Sequence, residues 1–496
     1  MIHRTIAHRL LPLAAGLALV AASGCGSDAT SSQTSTPTTT VHAVPARDLV
    51  SRQDLRPPTI TIRRSDPGQA PGLVFLTPKK VFGAKVVPGA QGGTEIIDNQ
   101  GKVRYFAPNK GHNVANDFRV QEYEGKPVLT YWYGRQIEGT GRGYGVILDE
   151  HYKRIATIHA GNGLDADFHE FRLTPENTAI ITVFHKTTSG GKKVVEGVIQ
   201  EIDVKTGKVL TEWHSLDGVP LSASYEPQEL RKGSFDYIHL NGADVAPDGN
   251  ILVSGRHTWA IYEIERHTGK LLTTIGGKQS DYKMGPGAQT AWQHDVVSLG
   301  PDLYSVFDNG AGDTGTQALR DYSRIAEIQL DPTKKTATLV KSYKHPDGLS
   351  AGTQGNGQLL PNGNMFVGWG SKGVASEFSQ DGKLLFDAKV PKGDDTYRAF
   401  KSPWVGLPSG SPDVAAKVSG TKITVDVSWN GATEVRSWRA LTGTRKAALT
   451  AAGRSGWKDL ETGFTVPAGS AKYVAVQALD AAGKVLATSD VQTLSR

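Results

Sequence analysis

Three observations predict an all-β chain. From about residue 57 to 400 the sequence runs in short stretches rich in Val, Ile, Tyr, Phe and Trp, broken by Gly, Asn and Asp. No amphipathic stretch long enough for a helix of about 12 residues interrupts them. Two different turn motifs alternate along the region, and the 57 glycines of the 496-residue chain suit many tight turns. Together they predict a six-bladed β-propeller over 57–400, followed by a small C-terminal β-sandwich of immunoglobulin or fibronectin type over 401–496.

The turns carry the propeller reading. One motif is a Pro-x-Gly-Asn-like hairpin: Thr174-Pro175-Glu176-Asn177, Pro247-Asp248-Gly249-Asn250, Gly300-Pro301-Asp302 and Pro361-Asn362-Gly363-Asn364. The other is a Gly-Lys hairpin at Gly101-Lys102, Gly207-Lys208, Gly269-Lys270 and Gly382-Lys383. Two hairpins per unit make four strands, and units recur every roughly 45–70 residues, as in radially repeated sheets. Units fall near 72–108, 112–160, 168–215, 238–280, 293–345 and 353–392. A β-helix would repeat at a shorter period, and a large sandwich would not repeat the same pair of turns.

The flanks differ in texture. Arg4, His8 and Arg9 precede an apolar stretch from Leu10 to Ala22 that is too short to span a membrane comfortably. Ala22-Ser23-Gly24 then leads into Cys25, the single cysteine, which excludes an intramolecular disulfide. The pattern is that of a lipoprotein signal over 1–24 with Cys25 as the acylated residue, a plain secretory signal being the simpler alternative. It places the protein outside the cytoplasmic membrane, anchored by lipid on the outer face. Residues 25–56 are polar and low in complexity, so they are expected to be a disordered tether. After the Pro-rich crossing at Ser402-Pro403-Trp404 to Ser411-Pro412, the remaining strands carry Trp429 and Trp438 as candidate core residues and offer no chemistry.

The formal charge of +6 drops by two if the first 24 residues are removed with Arg4 and Arg9. No basic run with interleaved aromatics occurs, which argues against nucleic acid as a partner.

Four of the 14 histidines follow a rule. His112, His169, His239 and His294 each lie just before a strand that enters its unit's first hairpin. Equivalent positions in successive blades converge at one end of a propeller's axis, which would gather these rings beside Asn241, Arg256 and Asp295. His151, His185, His214, His267 and His345 sit among polar turn residues and are expected to be exposed. Repeat geometry alone could produce a single such histidine; several with an arginine point to a site. Imidazole beside a guanidinium suits an oxyanion, and a neutral ring can also act as a nucleophile. Three histidines could instead hold zinc, although Arg256 would oppose a cation there. There is no Gly-x-Ser-x-Gly elbow, His-Glu-x-x-His or phosphate-binding Gly-x-x-x-x-Gly-Lys-Ser/Thr loop. The glycines of 139–145 are read as a turn. Tyr237, Trp259 and Trp292 are read as packing.

The stretches FHEFRLTPENTAIITVF (168–184), DYIHLNGADVAPDGNILVSGRHTWAIYEIERHTGKLLTTIGGK (236–278), WQHDVVSLGPDLYSVFDNG (292–310) and GQLLPNGNMFVGWG (357–370) closely resemble the arylsulfotransferase family. The resemblance extends over about residues 57–480. It implies a six-bladed propeller that moves a sulfuryl group between phenols without a nucleotide donor and without a cofactor or metal. It implies that His294 is the nucleophile that carries a sulfohistidine. It implies further that His239, Asn241 and Arg256 bind the sulfuryl group and that His169 assists binding or proton transfer. Small aryl sulfates and phenols are then the partners, in ping-pong kinetics; the oligomeric state stays open. The chain departs from characterised members in lacking a cysteine pair and in carrying its extra domain at the C-terminus. Two other classes stay open: a non-enzymatic propeller that binds a ligand or partner in its funnel, and a metal-dependent hydrolase.

Overall fold

A computed structural model describes residues 48–81, 90–137, 139–227, 233–312 and 317–495. The described chain is all-β; its only helical pieces are three single 3₁₀ turns, Ser215–Asp217, Leu221–Ala223 and Gly370–Lys372. Among the described residues no helix is long and apolar enough to cross a membrane. The predicted signal segment, with Cys25, lies outside the described residues.

Strands follow one another as antiparallel meanders of four. Val114–Tyr123, Lys126–Ile137, Thr140–Leu148 and Arg154–Ile158 pair in order. So do Ala166–Leu173, Thr178–Ser189, Lys192–Asp203 and Val209–His214, and Leu240–Val245, Ile251–Gly255, Ala260–Ile264 and Leu271–Gly276. His294–Gly300, Leu303–Asp308, Arg324–Asp331 and Thr336–Lys344 form the next. Asn356–Leu359, Met365–Gly368, Val374–Phe378 and Leu384–Lys389 follow, joined at the edge by the early strand Thr61–Ser65. Leu73–Leu76, Gly93–Ile97 and Val103–Pro108 receive their fourth strand from late in the chain, Phe400–Ser402. The predicted turns lie between paired strands because their chemistry fits: Asp248 accepts the amide of Asn250 at 3.0 Å, and Gly207 takes the left-handed φ of 70° that a side chain would resist.

Apolar cores lie between consecutive meanders. Ile147, Phe171 and Ile181 share one cluster, Ile180, Trp213, Leu240 and Tyr262 another. Tyr304 and Ile328 pack with Leu252 and Ile261, and Phe307 and Ile325 with Met365 and Val367. Phe366 and Phe386 share a cluster with Leu76, Ile97 and Phe106, so the last meander is buried against the first.

Beyond residue 412, the sheet of Asp413–Ser419, Lys422–Ser428 and Glu461–Pro467 and the sheet built on Ser437–Gly443, Thr450–Gly456, Tyr473–Leu479 and Val485–Thr488 share one core. Trp438 is fully buried in it, whereas Trp429 is only partly buried against it. This region covers the outer strand Val103–Pro108, an edge that would otherwise expose unpaired amides. Asn430 exchanges two hydrogen bonds with the Phe106 backbone (2.9 and 2.8 Å), Asp459 accepts the Val103 amide at 2.8 Å, and the Arg104 guanidinium lies 3.3 Å over the Trp457 ring.

The structure departs from the expected tether at its end. Leu49 and Leu55 are buried, and Glu461 accepts the amides of Val50 and Ser51 at 3.0 and 2.6 Å. The two leucines are buried in a polar stretch, and the carboxylate receives the backbone amides between them.

Candidate active site

The first strand of four successive meanders bulges at one place. Register slips between Asn116 and Arg119, Ala166 and Phe171, Leu240 and Ala243, and His294 and Val297. A bulge inserts an unpaired residue and re-aims its neighbours. Here it separates Asn116 from Asp117, His169 from Glu170 and His294 from Asp295 in function. Asp117, His239 and Asp295 adopt left-handed φ of 59°, 51° and 53°, unusual for residues with a Cβ. Gly242 allows the strands to converge, since a Cβ there would lie 2.9 Å from the Asp295 backbone.

His169, His239 and His294 are each buried and held at Nδ1. His169 donates to the Asp167 carboxylate, and His239 to Asp236 at 2.6 Å. Their rings meet edge to face with centres 4.9 Å apart, and Phe184 contacts both. His294 differs: its Nδ1 faces the amide oxygen of Asn309 at 2.8 Å. Asn309 commits its NH₂ to the carbonyls of Ala351 (2.7 Å) and Gln354 (3.0 Å), so its oxygen must accept. Nδ1 of His294 therefore carries the proton, and Nε2 accepts the Gln354 amide at 3.0 Å. The ring is neutral. Burial, then the charge of Arg256, hold its pKa well below the ordinary imidazole value, against the opposing hydrogen bond from Asn309.

Three described neighbours help to fix Arg256. It donates to Nε2 of His257 at 2.8 Å and to the Gly352 carbonyl at 3.0 Å, and lies 5.1 Å from the centre of the Trp292 ring. His257 returns its Nδ1 proton to the Asp236 carbonyl (2.6 Å), and burial keeps its pKa well below the usual value. Asn241 donates to the Gln293 carbonyl at 2.7 Å, while its buried Oδ1 finds no partner among the described residues. Asp236, His239 and His257 offer ligand atoms within reach of one metal ion. The Arg256 guanidinium at the same imidazole opposes such a cation.

One residue further along the strands, the carboxylates of Asp117, Glu170 and Asp295 turn towards Arg398, at 3.1, 3.0 and 3.3 Å. Arg119 adds a second contact to Glu170 at 2.6 Å. A cavity of about 450 Å³ opens at the far ends of these strands, among Gln121, Arg172, Ser298 and Gln358.

The structure thus brings His169, His239, Asn241, Arg256 and His294 together. It does not include His112, which is exposed in the turn before its strand, because the bulge puts Asn116-Asp117 at the place equivalent to His169-Glu170. His345, expected at the surface, is buried against Trp369. His185 and His214 are half-buried on strands. Asp167, Asp236, His257, Asn309 and Gln354 were not singled out from the sequence; the carboxylates two and three residues before His169 and His239 were the available signal. Tyr237 packs in an apolar core as expected, and Trp259 and Trp292 form a small cluster of their own.

A model of the family described as arylsulfotransferase (ASST) matches residues 119–390, more than half of the chain. The chain belongs to the arylsulfotransferase family. The family points to aryl sulfotransferase activity in general, and His169, His239, Asn241, Arg256 and His294 all lie within the matched span. No curated protein matches the chain. Among solved structures, a Bacteroides caccae protein of unknown function is 14% identical, with 67% of this chain and 99% of its own covered, at a TM-score of 0.41. Hydrazine synthase of Kuenenia stuttgartiensis is 14% identical over 65% of this chain and 78% of its own (TM-score 0.28). A catalytically inactive virginiamycin B lyase of Staphylococcus aureus is 11% identical over 64% and 82% (TM-score 0.31).

Proposed function

We propose that this member of the arylsulfotransferase family transfers a sulfuryl group from a phenolic sulfate ester to a phenol through a sulfohistidine on His294. The observation that carries the reading is the contrast in what backs each histidine. His169 and His239 have carboxylates behind them, whereas His294 has an amide and stays neutral with its lone pair on Nε2. That nitrogen attacks sulfur, the sulfur–oxygen bond to the phenol breaks, and the Gln354 amide moves from the nitrogen to a sulfuryl oxygen. Arg256 offsets the charge of the sulfuryl oxygens, together with His239 and Asn241. His169 gives a proton to the departing phenolate, and Asp167 balances the charge the ring carries in the meantime. The acceptor phenol returns its proton to the same ring as it takes the sulfuryl group and the sulfur–nitrogen bond breaks. Ping-pong kinetics follow.

The strand exchange between the two ends of the region, and cores that run from each meander to the next and back to the first, support a six-bladed propeller over 57–400. The two sheets beyond it are read as a sandwich of immunoglobulin or fibronectin type. Cys25 is the proposed lipid anchor on the outer face of the membrane; a Cys25→Ser protein should leave the membrane fraction.

The test is nitrophenol release from 4-nitrophenyl sulfate, with and without added phenol, for the unmodified protein and His294→Ala. Phenol-stimulated release that disappears in the variant is expected. Release that survives His294→Ala would remove the sulfohistidine, and release that needs zinc after chelation would favour a metal-dependent hydrolase.

A further inference from the structure

Away from the funnel, three strands of one meander bring His185, Glu196 and His214 together. His185 stands directly across from Glu196 in the antiparallel pair of Thr178–Ser189 and Lys192–Asp203, and His214 follows on Val209–His214, beside Val198. Both rings direct Nδ1 at the same oxygen of Glu196, His185 at 2.7 Å and His214 at 3.1 Å. Glu196 is buried between them, while the two imidazoles are open to solvent at 39% and 30%.

His214 makes the cluster unusual. Its second nitrogen, Nε2, lies 2.9 Å from Glu212, whose carboxylate is itself held by Asn162 at 2.8 Å and by Gln200. A neutral imidazole has one N–H and one lone pair, so it cannot donate to carboxylates from both nitrogens. Two acceptors on opposite sides of one ring demand a positive charge there: either a second proton or a metal ion in place of the proton on Nδ1. In the metal-bound alternative Nε2–H donates to Glu212, as histidine ligands commonly donate their other nitrogen to a carboxylate.

We propose that His185, Glu196 and His214 form a site for a divalent transition metal of the zinc class, with Glu212 positioning His214 and a fourth coordination place open to solvent. Two imidazoles and a carboxylate are ligands that zinc accepts, whereas magnesium and calcium prefer oxygen alone. Ligands at about 2.1 Å in a tetrahedron are about 3.4 Å apart, so the separations of 2.7 and 3.1 Å need to open by about 0.7 and about 0.3 Å. The ion would clip three strands together behind the funnel. Phe184, the residue before His185, is the one whose ring touches His169 and His239.

The untagged full-length chain, stripped with a chelator and dialysed against zinc chloride, should retain about one zinc ion, and excess magnesium or calcium should not displace it. A Glu212→Gln protein should bind zinc about 10–100-fold more weakly, and His185→Gln and Glu196→Gln should bind it at least about tenfold more weakly. The His239→Ala protein should keep its zinc. Zinc should also raise the melting temperature of the unmodified protein and not that of His185→Gln, a readout on folded material that does not depend on His214 variants surviving. No retained zinc would overturn the site. So would zinc that is lost from His239→Ala and kept by His185→Gln, which would place the ion on Asp236, His239 and His257.

Discussion

Two layers of side chains lie one residue apart on the same strands and are satisfied in opposite ways. In the inner layer, the carboxylates of Asp117, Glu170 and Asp295 are closed by Arg398 and Arg119, all buried. Burial works against the charge on Glu170, but Arg398, Arg119 and Arg172 outweigh it and hold its carboxyl well below the usual carboxylate range. Burial pushes Asp117 up to about 6 against the pull of Arg119 and Arg398. In the histidine layer, each ring is anchored at Nδ1 and keeps Nε2 on the other side. The first layer closes its charges on one another; in the proposed reaction the second supplies its nitrogens to the substrate. On the strands of His169-Glu170 and His294-Asp295 the bulge lets two consecutive residues serve the two purposes.

The sharpest break of this comparison is in the histidine layer. Replacing His294 by Ala should lower phenol-dependent turnover by about 10⁴-fold or more with a melting temperature close to that of the unmodified protein. A protein that unfolds instead would show that the ring belongs to the fold. The converse variant, Arg398→Met, leaves three buried carboxylates without their shared cation and should cost about 3–5 kcal/mol in urea unfolding. Its folded fraction should still turn over substrate, as a direct assay below the unfolding transition can show.

Asn309→Asp sharpens the comparison by giving His294 the carboxylate that the other two rings have. A carboxylate at Nδ1 favours the protonated ring, so the acid limb of the pH–rate profile should move to higher pH. An unmoved limb would mean that His294 does not set it. The smallest effect is on stability. His294 and His257 have folded pKa values below the ordinary imidazole value of about 6.5, so the unfolded chain binds protons that the folded chain refuses. Their stability contribution is complete above pH about 6.5 and is lost as pH falls from there towards the folded values. Melting temperatures should fall less between pH about 6.5 and 5 in a His294→Asn protein than in the unmodified one.

The strands and turns were legible because alternating apolar residues and Gly-Lys or Pro-Asp-Gly turns act locally. The site histidines were legible because the repeat returns them to the same end of each first strand. His112 was misplaced because a histidine is easier to align than the pair Asn116-Asp117, and only the bulge shows that this pair corresponds to His169-Glu170. Asn309 stayed hidden because it reaches His294 from the neighbouring strand's end. Arg398 lies 281 residues from Asp117 in sequence, and nothing in its surroundings announces that it closes three carboxylates. His345 follows from the same limit: its polar neighbours Lys344 and Asp347 gave no sign of the Trp369 ring packed on it.

The late strand Phe400–Ser402, paired with Leu73–Leu76, also fixes an order of events during synthesis. A nascent chain that has reached residue 380 already contains every histidine of the site, yet its first sheet lacks a strand and its three carboxylates lack Arg398. Asp117, Glu170 and Asp295 gain their shared cation only when Arg398 arrives. Arrival of residues 398–402, rather than appearance of the histidines, is what supplies both the missing strand and the missing cation.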